Sequence, residues 1–181
     1  MAAPPDFTTG QVLTAAQMNA VGLWLVKTQT IGSAVSSVTV SSAFSTDYDV
    51  YLITVSGGAG SGSNAWTLQL GSTNTGYYNS GYVVPYTGAA SLSQRNNGVS
   101  WANVGIQSTN SGNAYIILNG PNLAKRTYIT ANYIFGDPAG GGDAMTINGY
   151  QNSDTQFTAL TLGFGGGTMT GGTIRVYGYR K

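Results

Sequence analysis

The sequence AWTLQL at residues 65–70 places Trp66, Leu68 and Leu70 at every second position, with small or polar side chains between them. Alternation with a period of two is typical of a β-strand that has one face on the core and the other toward solvent. We therefore expect residues 65–70 to form a half-buried antiparallel strand.

The same period continues on both sides of this stretch. Residues 24–31 alternate in the same way, and residues 48–55 are apolar at both parities, which predicts a strand buried on both faces. Further strands are predicted around residues 38–40, 81–86, 99–106, 114–118, 126–135, 144–150, 156–162 and 173–179. Turns rich in Gly, Ser and Asn are predicted at residues 56–64, 71–76, 93–98, 137–143 and 163–172. Many short strands separated by such turns indicate an all-β protein with an antiparallel β-sandwich or jelly-roll-like fold.

The start of the chain follows a different pattern. Two consecutive prolines favour an extended arm. Thr14 and Gln17 then have the spacing of a capping box, which predicts a short helix of about two turns that Gly22 ends. We divide the chain into an N-terminal docking arm with a short helix, residues 1–22, and a β-sandwich domain, residues 23–181.

Charged residues are scarce in this chain. They make up 7% of it, against about 25% in an ordinary soluble domain, and the net charge is +1. With 11% aromatic residues the chain is not of the disordered class. A nearly neutral surface is unfavourable for the solubility of a free monomer. It therefore favours an assembly in which much of the surface faces other protein. The alternative is an extracellular domain without such an assembly. Seven scattered basic residues exclude a phosphate-binding stripe, so we expect no nucleic-acid partner.

The residue types needed for most catalysis are missing. The chain contains no His, Cys or Glu, which removes the Ser-His-Asp triad, cysteine nucleophiles and histidine zinc sites. Asp47 and Asp49 would share one face of a strand and could hold a hard cation or act as a carboxylate pair. They stand at a strand start, however, where Asp commonly closes a turn. We expect no enzyme activity, no cofactor and no metal, while an Asp-lined cation site stays open as the alternative.

Four tyrosines occur within ten residues, at Tyr77, Tyr78, Tyr82 and Tyr86. Tyrosine offers a large contact area with a polar tip, which suits glycan stacking and protein interfaces. These rings are candidates for contact with a receptor or a neighbouring subunit. The alternative is that they pack in the core.

Several segments resemble structural proteins of tailed bacteriophages. Residues 7–19, FTTGQVLTAAQMN, resemble the N-terminal segment of many of these proteins. Residues 87–140 have no such resemblance. Further segments resemble strands of small phage fibre and tail domains and come in the same order: STDYDVYLI at 45–53, LQLG at 68–71, TGYY at 75–78 and GGTIRVYGY at 171–179.

This resemblance implies a virion component with a jelly-roll-like domain that assembles as a homotrimer. The arm, with Phe7, Leu13, Met18 and Val21, would dock onto the particle or a neighbouring subunit, because so short an apolar segment is not stable alone. We expect a tail-fibre or tail-tip component that presents a host-contact surface. A capsid decoration, cement or head-fibre protein is the alternative, and a glycan-binding module is a third reading.

The same interpretation sets the expected partners and location. The partners would be the chain itself, other virion proteins and a host-surface glycan or protein. We expect the protein in the virion, made in the host cytoplasm, because the N-terminus has no secretory signal pattern. The longest strongly apolar run, residues 21–26, is too short to insert across a membrane.

Overall fold

The computed structural model describes residues 9–10, 12, 14, 22–88, 91–136 and 141–180. Every regular element in this part of the chain is a β-strand, and all the pairings are antiparallel. The predicted helix of the arm falls on residues outside the described ones. The strands are β1 Leu23–Thr30, β2 Ser37–Val40, β3 Tyr48–Ser56, β4 Ala59–Gly60, β5 Asn64–Leu70, β6 Tyr77–Pro85, β7 Leu92–Gly98, β8 Trp101–Gln107, β9 Gly112–Asn119, β10 Thr127–Gly136, β11 Gly142–Gln151, β12 Leu160–Phe164, β13 Met169–Thr170 and β14 Thr173–Arg180.

Twelve of these strands are joined by one continuous set of hydrogen bonds, which divides into two layers at the β8–β9 hairpin. The large sheet has the order β1-β14-β3-β9-β10-β11-β6-β7. The small sheet has the order β2-β12-β5-β8. Strands β4 and β13 form a separate short ribbon. The arrangement is that of a β-sandwich, as the strand pattern predicts.

The two layers divide because β9 changes partners. Its first two residues pair with β8, whereas residues from Tyr115 onward pair with β10. At this change of partner the Asn113 side chain bonds to the backbone of Ile134 in β10. Its Oδ1 accepts from the Ile134 N–H at 3.0 Å, and its Nδ2 donates to the Ile134 carbonyl. The backbone groups of β10 therefore stay bonded where β9 leaves it.

The core lies between the two sheets and takes one parity from each strand. In β5 the predicted alternation is confirmed, since Trp66, Leu68 and Leu70 are all buried. The Trp66 ring fits against two glycines, because a Cβ on Gly105 would lie 2.5 Å from the ring and one on Gly112 would lie 2.9 Å from it. Close contact between the layers at the hairpin thus requires glycine at both positions.

Strand β3 is buried on both faces, as predicted. Tyr51, Ile53 and Val55 face the core, and Leu52 on the opposite side is only 7% exposed. The Tyr51 hydroxyl donates to the Ser45 carbonyl at 2.9 Å and accepts from the Ser45 N–H at 2.8 Å. This pair of bonds ties the loop before β3 to the strand.

Three local predictions are wrong. Residues 93–98 are not a turn but most of β7, because their polar side chains lie on an edge strand that pairs with β6. Residues 156–159 precede β12 rather than belong to it. The turn-rich segments 56–64 and 163–172 contain the short strands β4 and β13, and next to these strands a Cβ on Gly58 would collide with the Gly171 carbonyl.

Candidate binding surface on the outer face of the large sheet

The structure separates the tyrosines that the sequence places together. Strand β6 starts at Tyr77, so these residues alternate between faces instead of forming a loop. Tyr77 is buried in the core, whereas Tyr78 and Tyr82 point to the opposite side. Tyr86 follows the end of β6 and is 54% exposed. The predicted docking residues Phe7, Leu13, Met18 and Val21 lie outside the described residues.

The outer face, defined as the side of the large sheet turned away from the core, concentrates the tyrosines. Directly opposite residues of an antiparallel pair share a face, so the strand register identifies which side chains lie there. Seven of the 12 tyrosines of the chain have the outward parity: Tyr78, Tyr82, Tyr115, Tyr128, Tyr150, Tyr177 and Tyr179. None of them is buried, and Tyr82 and Tyr128 are more than half exposed.

Three of these tyrosines form a row across adjacent strands. Tyr128 in β10 is opposite Tyr150 in β11, which is opposite Tyr78 in β6. Tyr78 and Tyr150 are stacked, with ring centroids 5.0 Å apart and planes inclined by 18°. Arg126, just before β10, places its guanidinium carbon 5.9 Å from the Tyr150 ring centroid. Because β10 and β6 flank β11 on opposite sides, Tyr150 lies between Arg126 and Tyr78.

A shallow depression of about 650 Å³ lies beside this row. We call it the Tyr78 trough; its outward side chains are Tyr78, Ser80, Arg95, Asn97, Asn148 and Tyr150. The strand register explains the form of the trough. Asn148 is opposite Ser80, and Ser80 is opposite Arg95, so a row of polar side chains lies next to the larger rings of Tyr78 and Tyr150. Among the described residues that line the trough there is no carboxylate.

Buried amides hold the floor of the trough in place. The Asn79 side chain points inward, where Oδ1 accepts from the Ala102 N–H at 3.1 Å and Nδ2 donates to the Ala102 carbonyl at 3.2 Å. Asn96 Nδ2 donates to Asn79 Oδ1 at 3.3 Å and to the Ser100 carbonyl at 2.8 Å. Asn79 and Asn96 alternate with trough residues, so directly beneath the trough β6 is fastened to β8, and β7 is fastened to Ser100 in the turn before β8.

A second depression, of about 550 Å³, adjoins the other end of the tyrosine row. It carries both signs of charge, from Asp49, Asp154, Lys125 and Arg126. The remainder of the outer face is more apolar. Leu23, Leu25, Val84 and Ile134 are between 41% and 63% exposed there. They lie in two separate places, Leu23 and Leu25 on the edge strand β1, and Val84 and Ile134 on β6 and β10.

The strongest pKa shifts belong to core tyrosines and not to the outer face. Burial raises the pKa of Tyr77 to about 12, and burial with the nearby Asp143 raises that of Tyr133 to about 12. Burial also raises the pKa of Asp143. Raised tyrosine pKa values in an apolar core reflect the cost of forming a phenolate there.

Of the two aspartates that suggested a cation site, Asp47 has a role in a turn. Ser45 Oγ donates to Asp47 Oδ2 at 3.0 Å and accepts from the Asp47 N–H at 3.3 Å, which closes the turn before β3. In the part of the chain that the structure describes, no three acidic, His or Cys side chains are grouped as metal ligands. Among the described residues there is also no helix that is long and apolar enough to cross a membrane.

Sequence reasoning missed most of the trough. Arg95, Asn97, Asn148 and Tyr150 come from β7 and β11, which are about 50 residues apart in the chain. The alternation within 144–150 does place Tyr150 opposite in parity to Ile147 and Met145. No local pattern indicates that β11 pairs with β6, and that pairing forms the site.

Comparison with known proteins does not assign a function to this surface. No protein-family model matches the chain. The search of curated proteins also finds no match. The function is therefore argued from the outer face and from the sequence.

Proposed function

We propose that this chain is a non-enzymatic structural protein of a bacteriophage particle that acts through the outer face of its large sheet. The observation that carries the proposal is an eight-strand antiparallel face that holds seven tyrosines, none of which is buried. Tyrosine-rich, charge-poor surfaces are typical of binding sites and interfaces. The phage assignment is supported by the resemblance of residues 7–19 and 171–179 to tailed-phage structural proteins.

The first role that we propose is that of a tail-fibre or tail-tip component. In this role the sandwich, which we expect to be jelly-roll-like and trimeric, projects from the particle and presents the Tyr78 trough to the host. The arm, with Phe7, Leu13, Met18 and Val21, attaches it to other virion proteins. The trough supports this role because the exposed polar side chains of Ser80, Asn97 and Asn148 lie beside the half-buried rings of Tyr78 and Tyr150.

Capsid decoration is the second candidate, and a different part of the outer face favours it. Leu23, Leu25, Val84 and Ile134 are exposed apolar side chains on the same side of the sheet. Burying them against a neighbouring protein would stabilise an assembly by about 25 cal/mol for each Å² removed from water. A decoration protein needs that interface and no ligand.

Immunogold electron microscopy of intact particles distinguishes the roles. Antibody raised against residues 23–181 would label the tail tip or fibres if the chain is a host-contact protein. Label distributed over the head would establish decoration instead. Particles of the encoding phage that contain no copy of the chain by mass spectrometry would contradict both.

The trimer is tested separately by light scattering on the purified chain. We expect a mass three times that of the 18.7 kDa protomer. A monomer mass across micromolar concentrations would exclude it.

A further inference from the structure

The Tyr78 trough combines two features that favour a sugar. Pyranose rings have an apolar face, which packs on aromatic rings, and a rim of hydroxyls, which needs donors and acceptors. Tyr78 and Tyr150 supply the aromatic wall, and Ser80, Asn97 and Asn148 supply short polar groups beside it. These three polar residues are all exposed.

The charge of the trough restricts the sugar further. Arg95 is its one charged lining side chain among the described residues, and it is exposed. Arg126 adds a second guanidinium behind Tyr150. A guanidinium binds a carboxylate through two parallel hydrogen bonds, and no lining carboxylate competes for it. The charge complementarity therefore favours an acidic ligand.

The trough is also rigid and of suitable size. The Asn79 and Asn96 side chains bond its floor to Ala102 and Ser100. The site is therefore held in place before binding, and binding costs little conformational entropy. Its side chains extend over three neighbouring strands, β11, β6 and β7, a span of roughly 10 Å at a strand spacing of about 4.8 Å. That span accommodates about two sugar units, and a volume of about 650 Å³ lies within the usual range of ligand sites.

We propose that the Tyr78 trough binds a carboxylate-bearing oligosaccharide, with the sugar ring against Tyr78 and the carboxylate on Arg95. The inference rests on the proposed function, since it names the ligand of the host-contact face. A second copy of the chain is the other occupant to be tested.

The experiment is titration calorimetry of the full chain with acidic oligosaccharides. The probes are tetramers of galacturonic acid, glucuronic acid and sialic acid, and each acid tetramer is compared with its methyl ester, which keeps the ring and removes the charge. We expect at least one acid to bind and its ester to bind at least tenfold more weakly. No binding by any of the three acids, or equal binding of acid and ester, would overturn the proposal.

Matched variants locate the site on the surface. Tyr78→Ala and Arg95→Gln should each weaken binding of the acid at least tenfold. Tyr82→Ala and Arg175→Gln are the controls, because these residues have the same outward parity but do not line the trough. Circular dichroism checks that each variant is folded. Equal effects of trough and control variants would contradict the assignment.

Two further readouts separate the possible failures. If Tyr78→Ala changes the mass measured by light scattering, the trough is a subunit interface and the sugar proposal is overturned. If acid tetramers do not bind but the chain is found in phage particles, only this inference fails. If a tetramer binds but particles lack the chain, the phage function fails and the sugar site remains.

Discussion

Tyr78 and Tyr150 stack across the ladder between β6 and β11, with their ring centroids 5.0 Å apart. The residue next to Tyr78 faces the other way: Tyr77 packs edge-on against Trp101, with centroids 5.1 Å apart. One strand thus supplies one tyrosine to the surface and the next to the core. The same substitution should therefore change the stability of the protein at Tyr77 and leave it almost unchanged at Tyr78.

Tyr77→Phe should lower the free energy of unfolding by about 1–3 kcal/mol. The Tyr77 hydroxyl accepts from the Leu70 N–H at 2.8 Å and donates to the Thr73 carbonyl at 3.1 Å. Its loss removes the bond to the buried Leu70 N–H, whereas the Thr73 carbonyl still accepts from Gln69 Nε2. Tyr78→Phe is the matched control and should change stability by less than about 0.5 kcal/mol. Urea denaturation measures both; equal losses would contradict the assignment of Tyr77 to the core and Tyr78 to the surface.

Stability should fall as the pH rises above 10. The pKa values of Tyr77 and Tyr133 are raised from 10.0 to about 12 by burial, so the unfolded chain loses these protons first. Their contribution is complete below pH 10 and is lost as the pH rises from 10.0 toward 12. Denaturant titrations across this range should show a shallower pH dependence when both residues are replaced by Phe. An unchanged slope in that double variant would contradict the prediction.

Gly105→Ala should destabilise the sandwich by about 1–3 kcal/mol. The added Cβ would lie 2.5 Å from both the Trp66 ring and the Ala114 Cβ, and neither is the end of a flexible chain. Gly136→Ala is the control, because a Cβ there meets nothing within 4 Å. Thermal unfolding should separate the two variants, and a stability of Gly105→Ala equal to that of the control would show that the layers can move apart without cost.

Deletion of residues 1–22 should abolish incorporation into particles and leave the sandwich folded. The buried residues of the described core lie between Ile31 and Val176, so the deletion removes none of them. Circular dichroism of the purified deletion checks folding, and quantitative mass spectrometry of particles checks incorporation. Unchanged incorporation would remove the docking role of Phe7, Leu13, Met18 and Val21.

The sequence by itself determined most of the strands of this protein, but not β4, β7 or β13. Period-two alternation located β5 with Trp66, Leu68 and Leu70 on one face, because strand geometry places every second side chain on the same side. The apolar character of both parities in 48–55 likewise predicted a central strand, as Leu52 and Ile53 confirm. The absence of His, Cys and Glu excluded a Ser-His-Asp triad, a cysteine nucleophile and a histidine zinc site.

Only the tertiary structure decided where the proposed binding surface lies. The tyrosines at 77 and 78 are adjacent in the chain but lie on opposite faces, while Tyr78 and Tyr150 are distant in the chain and stack. Long-range pairing of β6 with β11 and β7 creates the trough, and that pairing is selected by packing of the whole core. Local alternation gives the parity of each side chain, but it contains no information about which strand becomes its neighbour.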